Sequence, residues 1–299
     1  MDQDTSAISQ PSGYLVSQDG ECTTRNSEHV AESGATVTFL LRKPEVFDNN
    51  ETIQKYIGEG KARLVKGDAL VKDDVRRAWA ESSAGDDGAP VELLIFTVGE
   101  LGFLSWEFFH ELNGHPGPTN GKFHITKGFL ISPENLITQA ILNVLETLPA
   151  SQPKIIAISS IGVTAASRKA LTFFLWALYG YLLPQAHRDK RGAEQIYAHI
   201  AGFSWDTKDN VGPDILEENW MARVPPQGQY KNLVIIRPAM LTDGPSLADK
   251  HPEKEAYRVQ DDDVSGAYTI SRRDVSHFLV EKVVKHWDSW SGRRVSIAY

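Results

Sequence analysis

The sequence has little cysteine and no apolar run long enough to cross a membrane. Cys22 is the only cysteine in 299 residues, so no disulfide can form within the chain, which is typical of proteins from reducing compartments. The longest apolar stretch, residues 171–183, covers about 13 residues, whereas a spanning helix needs about 20. Residues 1–12 lack the pattern of a signal peptide. We therefore expect a cytoplasmic protein without a membrane span.

Positive charge and metal-ligand spacing are also scarce. Lys and Arg number 31 against 39 Asp and Glu, which gives a formal net charge of −8. Binding to nucleic acid requires a basic surface, so we expect no nucleic-acid partner. His110 and His115 are spaced i, i+5, and Gly114 and Pro116 interrupt a helix between and after them. They cannot share a helical face as zinc ligands do, and we predict no metal site.

Short apolar segments alternate with segments of helical periodicity along almost the whole chain. Val37–Leu41 is β-branched and apolar and lies between Gly34 and Pro44, as suits a buried parallel strand. Such alternation predicts one doubly wound, Rossmann-type parallel α/β sheet. The predicted strands cover residues 13–16, 37–41, 62–65, 91–98, 155–160, 233–237 and 294–298, and the predicted helices cover 71–81, 133–148, 168–183, 187–200 and 271–287.

The same pattern predicts the domain organisation. Residues 13–299 form a single domain after a disordered tail over residues 1–12. Residues 99–131 are rich in glycine and longer than an ordinary connection, so they are predicted to form a functional loop. Residues 203–231 and 239–270 are predicted to be substrate-side insertions, which form a small C-terminal capping region at the carboxyl ends of the strands.

The turn after the first predicted strand has the spacing of a dinucleotide-binding loop but only one of its three glycines. The residues at the glycine positions are Ser17, Gly20 and Thr23. The three glycines normally make the tight turn, admit the pyrophosphate and let the helix pack on the strand. A non-glycine residue at positive φ costs about 1–3 kcal/mol. The loop is therefore compatible with weak nucleotide binding or with an ordinary turn that holds no phosphate.

Other candidate cofactor residues follow the next strands. Arg42 and Lys43 come after the second strand, where a basic residue accommodates the 2′-phosphate of NADP; alternatively they are solvated surface charges. Asp68 follows the third strand and could bind an adenine edge or cap the next helix. Val98 and Gly99 close the fourth strand, where the backbone could lie against the adenosine ribose.

Candidate reacting residues follow the fifth and sixth strands. Ser159 and Ser160 end the fifth strand, at the sheet edge where ligands bind in open α/β sheets. A serine hydroxyl there could bind a substrate carbonyl or make only local turn bonds. Pro238 follows the sixth strand, and residues 238–242 are predicted to shape the substrate pocket.

The helix after the fifth strand carries two further candidates, His187 and Lys190. A tyrosine four residues before Lys190 would complete a proton-donating pair, but that residue is Ala186. His187 is the nearest replacement, since an unperturbed histidine titrates near pH 6.5. Lys190 could bind ribose hydroxyls; alternatively, Lys190 and Glu194 are spaced i, i+4 and form a surface ion pair.

The chain resembles the atypical short-chain dehydrogenase/reductase superfamily, in its NAD(P)H-binding, NmrA-like and flavin/biliverdin reductase-like branch, and is similar to fungal proteins of secondary metabolism. The resemblance covers most of the chain. It is carried by VTFLLRKP (37–44), VKGD (65–68), FTVG (96–99), IIAISSIG (155–162), HRDKRGAE (187–194), VIIRPAMLTDG (234–244) and ISRRDVSHF (270–278).

The resemblance implies the strand order 3-2-1-4-5-6-7 and NADP bound across the strand ends. We therefore expect an NADP(H)-dependent oxidoreductase that acts on a small apolar or aromatic carbonyl compound. The residues at Ser17, Thr23 and Ala186 differ from the family pattern, so NADP could be bound weakly or not at all. Two other functions therefore stay open: a cofactor-independent isomerase or cyclase, and a non-catalytic NADP sensor. The candidate catalytic residues are Ser159, Ser160, His187 and Lys190, and the candidate cofactor-binding residues are Ser17, Gly20, Thr23, Arg42, Lys43, Asp68, Val98, Gly99, Lys190 and Pro238.

Overall fold

A twisted, mostly parallel sheet with helices on its faces organises the chain. The computed structural model describes residues 14–17, 36–84, 90–98, 121–124, 128–171 and 173–299. From one edge to the other, the sheet in these residues contains β3 (Ala62–Lys66), β2 (Val37–Leu41), β1 (Tyr14–Ser17), β4 (Leu93–Phe96), β7 (Lys154–Ile158), β8 (Leu233–Pro238), β12 (Arg293–Ala298) and β10 (Arg258–Asp261).

The strand order agrees with the prediction. All neighbouring strands from β3 to β12 pair in parallel, and in chain order these seven strands are arranged 3-2-1-4-5-6-7. Strand β10 pairs antiparallel with β12 and extends the sheet beyond the predicted edge. Every residue of β2, β4 and β8 is buried, as expected for parallel strands covered by helices on both faces.

The helices and the remaining strands fill the connections between the strands of the sheet. Strands β5 (Gly121–His124) and β6 (Gly128–Ile131) form an antiparallel hairpin, while β9 (Met240–Thr242) and β11 (Thr269–Ser271) pair in parallel. The α-helices are α1 (Glu51–Gly58), α2 (Lys72–Ser83), α3 (Leu136–Glu146), α4 (Ala165–Ala170), α5 (Phe173–Leu182), α6 (Pro184–Ala201), α7 (Leu247–Lys250), α8 (Arg272–His277) and α9 (Trp287–Trp290), with 3₁₀ turns at Pro44–Phe47, Thr207–Asp209 and Trp220–Arg223.

Two predicted helices are wrong in their extent. The apolar segment predicted as one helix over 168–183 contains α4 and α5 as separate helices, because the backbone of Leu171 is extended at the end of α4. The helix predicted over 271–287 is α8, followed by the π-helical segment Phe278–Val284 and then by α9. None of the helices in the described residues is long and apolar enough to cross a membrane.

Helix α6 is fixed against α3 by a buried carboxylate. Asp189 on α6 accepts hydrogen bonds from the backbone N–H groups of Ile137 and Thr138 at 2.7 and 2.8 Å. These are donors in the first turn of α3 that have no partner within the helix. Gly192 lies against the same turn, where a Cβ would approach Thr138 Oγ1 to 2.4 Å. These contacts set the position of the helix that carries His187 and Lys190.

Residues 203–231 pack along α6 and α3. Asp209 accepts a hydrogen bond from the backbone N–H of Ala165 at 2.8 Å, near the carboxyl end of β7. Arg223 pairs with Glu146 and Glu217 at 2.7 and 2.5 Å. The role of this segment as a substrate-side insertion stays a prediction.

Candidate active site

The carboxyl ends of β7 and β8 bring together the serine pair, Pro238 and two residues of α6. The backbone N–H of Ser159 donates to the carbonyl of Ile236 at 2.8 Å, and Ile161 N–H donates to the carbonyl of Pro238 at 3.1 Å. The chain after β7 is therefore held beside the end of β8. Lys190 Nζ reaches the same segment from α6 and donates to the carbonyl of Ser159 at 3.1 Å.

The two serines differ in what their hydroxyl groups contact. Ser159 is only 5% exposed, and its hydroxyl donates to Glu194 Oε1 at 2.5 Å. Its N–H and carbonyl are also bonded, so all three of its polar groups are used within the protein. Ser160 is half-buried, and its hydroxyl contacts only the carbonyl of Ile161 at 3.2 Å among the described residues. Ser160 is therefore better suited than Ser159 to bind a ligand.

Below the serines lies a buried ion pair between α6 and β8. Arg237 Nε donates to Glu194 Oε1 at 2.9 Å, and its Nη2 contacts the other carboxylate oxygen. Both side chains are only 1% exposed. Burial opposes ionisation of Glu194, but Arg237 and the Ser159 hydroxyl hold the pKa of this carboxyl below its usual value. The alternative in which Lys190 and Glu194 form a surface ion pair is wrong, because Glu194 is buried against β8 and bonds to Arg237.

His187 is buried on α6, beside Tyr179, and is neutral at pH 7. It is 3% exposed, and its ring lies edge-on to the Tyr179 ring, with 5.2 Å between the ring centres. Burial, followed by the charges of Lys190, Arg168 and Arg191, lowers the pKa of His187 to about 3. Neither ring nitrogen has a hydrogen-bond partner among the described residues. The neutral ring offers one donor and one acceptor.

The cofactor candidates on the other half of the sheet are spread over several strand ends. Ser17 is the last residue of β1 and is paired in register with β2 and β4. Arg42 is half-buried and Lys43 is exposed directly after β2. Gly20 and Thr23 lie outside the described residues, so the altered loop itself is not described.

Asp68 and Val98 have structural contacts where they follow β3 and β4. Asp68 Oδ1 accepts a hydrogen bond from the backbone N–H of Leu70 at 2.9 Å, a local turn bond before α2. Val98 is buried in the core, and Gly99 lies outside the described residues. His110 and His115 also lie outside them, and the described part of the chain contains no cluster of metal ligands.

Sequence reasoning did not single out Arg168 or Arg237 as candidate site residues. Arg237 was noted only within a motif, and its partner Glu194 lies on another element 43 positions away. Arg168 begins the predicted helix 168–183, and nothing in the local sequence indicates that it approaches His187. Both assignments depend on contacts between elements, for which a single sequence carries no local signal.

No protein-family model and no curated protein matches the sequence. Solved structures do match its fold, and the three that follow are examples that cover nearly the whole chain. A protein described as a 3-oxoacyl-reductase from Bacillus thuringiensis has a TM-score of 0.55 and 12% identity over 96% of both chains. L-Sorbose reductase from Gluconobacter frateurii, in complex with NADPH and L-sorbose, has a TM-score of 0.51 and 13% identity over 96% of this chain and 95% of that one. A variant of a Serratia marcescens short-chain dehydrogenase/reductase has a TM-score of 0.50 and 12% identity over 96% of both chains.

These similarities show the fold. The chain has the Rossmann-type α/β fold of the short-chain dehydrogenases/reductases. At 12–13% identity they carry no information about the substrate. The narrower resemblance to the NmrA-like branch stays a prediction.

Proposed function

We propose that this protein is an NADP(H)-dependent oxidoreductase that acts on the carbonyl group of a small apolar or aromatic metabolite. The observation that carries the proposal is the bond of 3.1 Å from Lys190 Nζ to the Ser159 carbonyl. It holds a cation beside Ser160 at the carboxyl edge of the sheet, where open α/β sheets bind their ligands.

The donor set after β2 fits the cofactor. Arg42 and Lys43 supply two adjacent cationic side chains at the carboxyl end of this strand, and such groups bind a 2′-phosphate through charge-assisted hydrogen bonds. Lys190 would bind the ribose on the reacting side. When bound, the cofactor supplies or accepts a hydride. The same fold holds NADPH in the sorbose reductase complex.

The chain's own residues would polarise the reacting carbonyl and exclude water. The Ser160 hydroxyl can donate to the substrate oxygen, and the charge of Lys190 favours negative charge that develops there. Since Ala186 provides no proton, the neutral His187 ring is the nearest group that can hold or give one. The buried Tyr179 ring offers an apolar surface for the rest of the substrate.

Calorimetric titration with NADPH and NADH tests cofactor binding. We expect NADPH to bind more tightly than NADH. Lys43→Ala should reduce that preference at least tenfold, because one hydrogen bond to a charged group is worth about 1.5–3 kcal/mol. Lys55→Ala removes a lysine from α1, away from the strand end, and should change nothing. Absence of NADPH binding at millimolar concentration would refute the proposal.

Turnover tests the roles of the two serines. A panel of aromatic ketones and aldehydes can be screened by NADPH absorbance. Ser160→Ala should lower kcat at least tenfold without changing the midpoint of thermal unfolding. Ser159→Ala should lower that midpoint, because it removes the hydroxyl that bonds to Glu194. If Ser160→Ala retains full activity, Ser160 has no catalytic role.

A cofactor-independent isomerase or cyclase is the second candidate function. Ala186 replaces the proton-donating side chain, and the buried neutral imidazole of His187 could move a proton without a nucleotide. This function requires turnover that survives removal of all nucleotide from the protein. NADPH binding without any turnover would instead support the sensor function.

A further inference from the structure

The cation cluster consists of three cationic side chains: Lys190 and Arg191 on α6, the helix that carries His187, and Arg168 on α4. Arg168 Nη2 lies 3.3 Å from the position that a Cβ on Gly180 would occupy, and the neighbouring Tyr179 ring packs on the buried His187 ring. Lys190, Arg168 and Arg191 each lower the pKa of this histidine through their charge. Lys190 and Arg191 lie one turn along α6 from His187, whereas Arg168 comes from α4. The site is therefore formed by two helices that meet beside the chain segment after β7.

The three cations differ in the hydrogen bonds and ion pairs that they make. Lys190 donates to the Ser159 carbonyl. Arg191 Nε donates to the carbonyl of Val163 at 2.9 Å and lies 4.0 Å from a carboxylate oxygen of Asp209. Arg168 makes no ion pair within the described part of the chain, and its buried Nε has no hydrogen-bond partner there.

Arg168 and His187 leave three buried polar nitrogens without a hydrogen-bond partner among the described residues, although Arg168 as a whole is half-buried. An unpaired buried polar group costs about 1–3 kcal/mol, so such groups are retained where a ligand satisfies them. Local positive charge favours an anion. The planar guanidinium of arginine matches a carboxylate in particular.

Apolar groups line the same region. The Tyr179 ring packs edge-on against His187, and Arg168 Nη2 lies 3.3 Å from the position that a Cβ on Gly180 would occupy. The absence of a side chain at Gly180 leaves the guanidinium close to the backbone of α5. A ligand bound here would contact the Arg168 guanidinium, which can bind an acid, and the aromatic ring of Tyr179.

We propose that the substrate carries a carboxylate that binds between the Arg168 guanidinium and the His187 imidazole, with its aromatic or apolar part against Tyr179. The inference rests on the proposed function, because that function identifies the ligand as the substrate. It narrows the substrate class from apolar or aromatic carbonyl compounds in general to those that also carry a carboxylate.

The position in the sheet argues against the 2′-phosphate of the cofactor as the anion. The proposed 2′-phosphate site follows β2, and the order β7-β4-β1-β2 places three strand spacings between it and β7. At about 4.8 Å per spacing this is about 14 Å. The cation cluster therefore lies on the side of the reacting residues.

The test compares 2-naphthoate with its neutral analogue 2-naphthamide by calorimetry at pH 7.5, without cofactor. We expect the wild-type protein to bind naphthoate at least tenfold more tightly than the amide. Arg168→Gln should reduce this preference to less than threefold, and His187→Gln should weaken naphthoate binding while leaving amide binding unchanged. Arg188→Gln, on the exposed side of α6, is the matched control and should retain the full preference.

Equal binding of acid and amide by the wild-type protein, or full preference in Arg168→Gln, would overturn the inference. Circular dichroism shows whether Arg168→Gln folds. If it does not, Arg168→Lys replaces it, because lysine keeps the positive charge but lacks the planar guanidinium group, and this variant should retain part of the preference for the acid. Full preference or none in Arg168→Lys would also overturn the inference. Displacement of naphthoate by inorganic phosphate at equal concentration would assign the cluster to a phosphate and would also overturn it. NADPH binding is measured separately. If the protein does not bind NADPH, the proposed function is refuted. If it binds NADPH but does not prefer the acid over the amide, only this inference is refuted.

Discussion

Replacement of Arg237 by methionine tests the buried ion pair that supports the serine segment. Methionine fills much of the volume of the arginine. It leaves the carboxylate of Glu194, a residue that is 1% exposed, with the Ser159 hydroxyl as its one direct donor among the described residues. Removing one partner of a buried pair costs about 3–5 kcal/mol, because the remaining charge is uncompensated. We expect Arg237→Met to lower the free energy of unfolding by this amount at pH 7.5.

The pH dependence gives the prediction a definite sign. In the wild-type protein burial raises the pKa of Glu194, but Arg237 and Ser159 outweigh it and hold the pKa below its ordinary value of 4.5. Glu194 therefore stabilises the fold above the unfolded-state pKa, and this contribution is lost as the pH falls through the lower folded-state value. In Arg237→Met burial dominates, so the folded-state pKa rises above the unfolded one. The free energy of unfolding of the variant then increases as the pH falls through the raised pKa of Glu194. The difference in unfolding free energy between wild type and variant shrinks by up to about 1.4 kcal/mol per pH unit.

Urea unfolding, followed by tryptophan fluorescence at pH 7.5 and pH 5.5, measures both effects. Arg188→Met is the control, because its pair with Asp214 is exposed, with side-chain exposures of 43% and 51%, and exposed pairs are worth about 1 kcal/mol or less. The double variant with Glu194→Leu should lose less stability than the sum of the two single variants. A loss of less than 1 kcal/mol for Arg237→Met, or a deficit that grows as the pH falls, would refute the reasoning.

Three further substitutions test contacts between elements of the fold, each by urea unfolding. Gly192→Ala should cost about 1–3 kcal/mol, because its Cβ would lie 2.4 Å from Thr138 Oγ1. Asp189→Ala should cost about 1–2 kcal/mol or more, because it removes the acceptor for two N–H groups at the start of α3. Tyr299→Phe should cost about 1 kcal/mol, because it removes the hydroxyl that donates to Asp274 at 2.5 Å; a neutral result in any of these would contradict the corresponding contact.

The central sheet could be predicted because its strands are buried on both faces and therefore appear as short apolar runs. Val37–Leu41 and Leu233–Pro238 are entirely buried, and their composition indicates this directly. The hairpin of β5 and β6 gave no such signal. It has glycine at the start of both strands, and it is held by a tertiary contact in which Ile131 N–H donates to Gln185 Oε1 at 2.6 Å.

The positions of the site residues along the sheet could also be predicted, but their partners could not. Helical periodicity placed Lys190 and Glu194 on one face of α6, which suggested a pair between neighbours. In the structure Lys190 bonds to the Ser159 carbonyl, and Glu194 bonds to Ser159 and Arg237. Each of these contacts joins α6 to a strand end. The choice among them depends on packing between elements, which periodicity does not determine.

The cation cluster is positive, whereas the net charge of the chain is negative. The chain can still bind an acid, because the cluster acts at short distance and the net charge acts at long distance. The formal net charge is −8, but at physiological ionic strength exposed charges are screened beyond about 8 Å. Arg168, Lys190 and Arg191 are half-buried and act on a buried His187 ring, where screening by salt is weaker than between exposed charges. The net charge therefore affects mainly the rate of encounter with an anionic ligand, whereas the cluster determines its affinity. An acid should consequently bind with an association rate that rises with salt, while its preference over the neutral amide changes little.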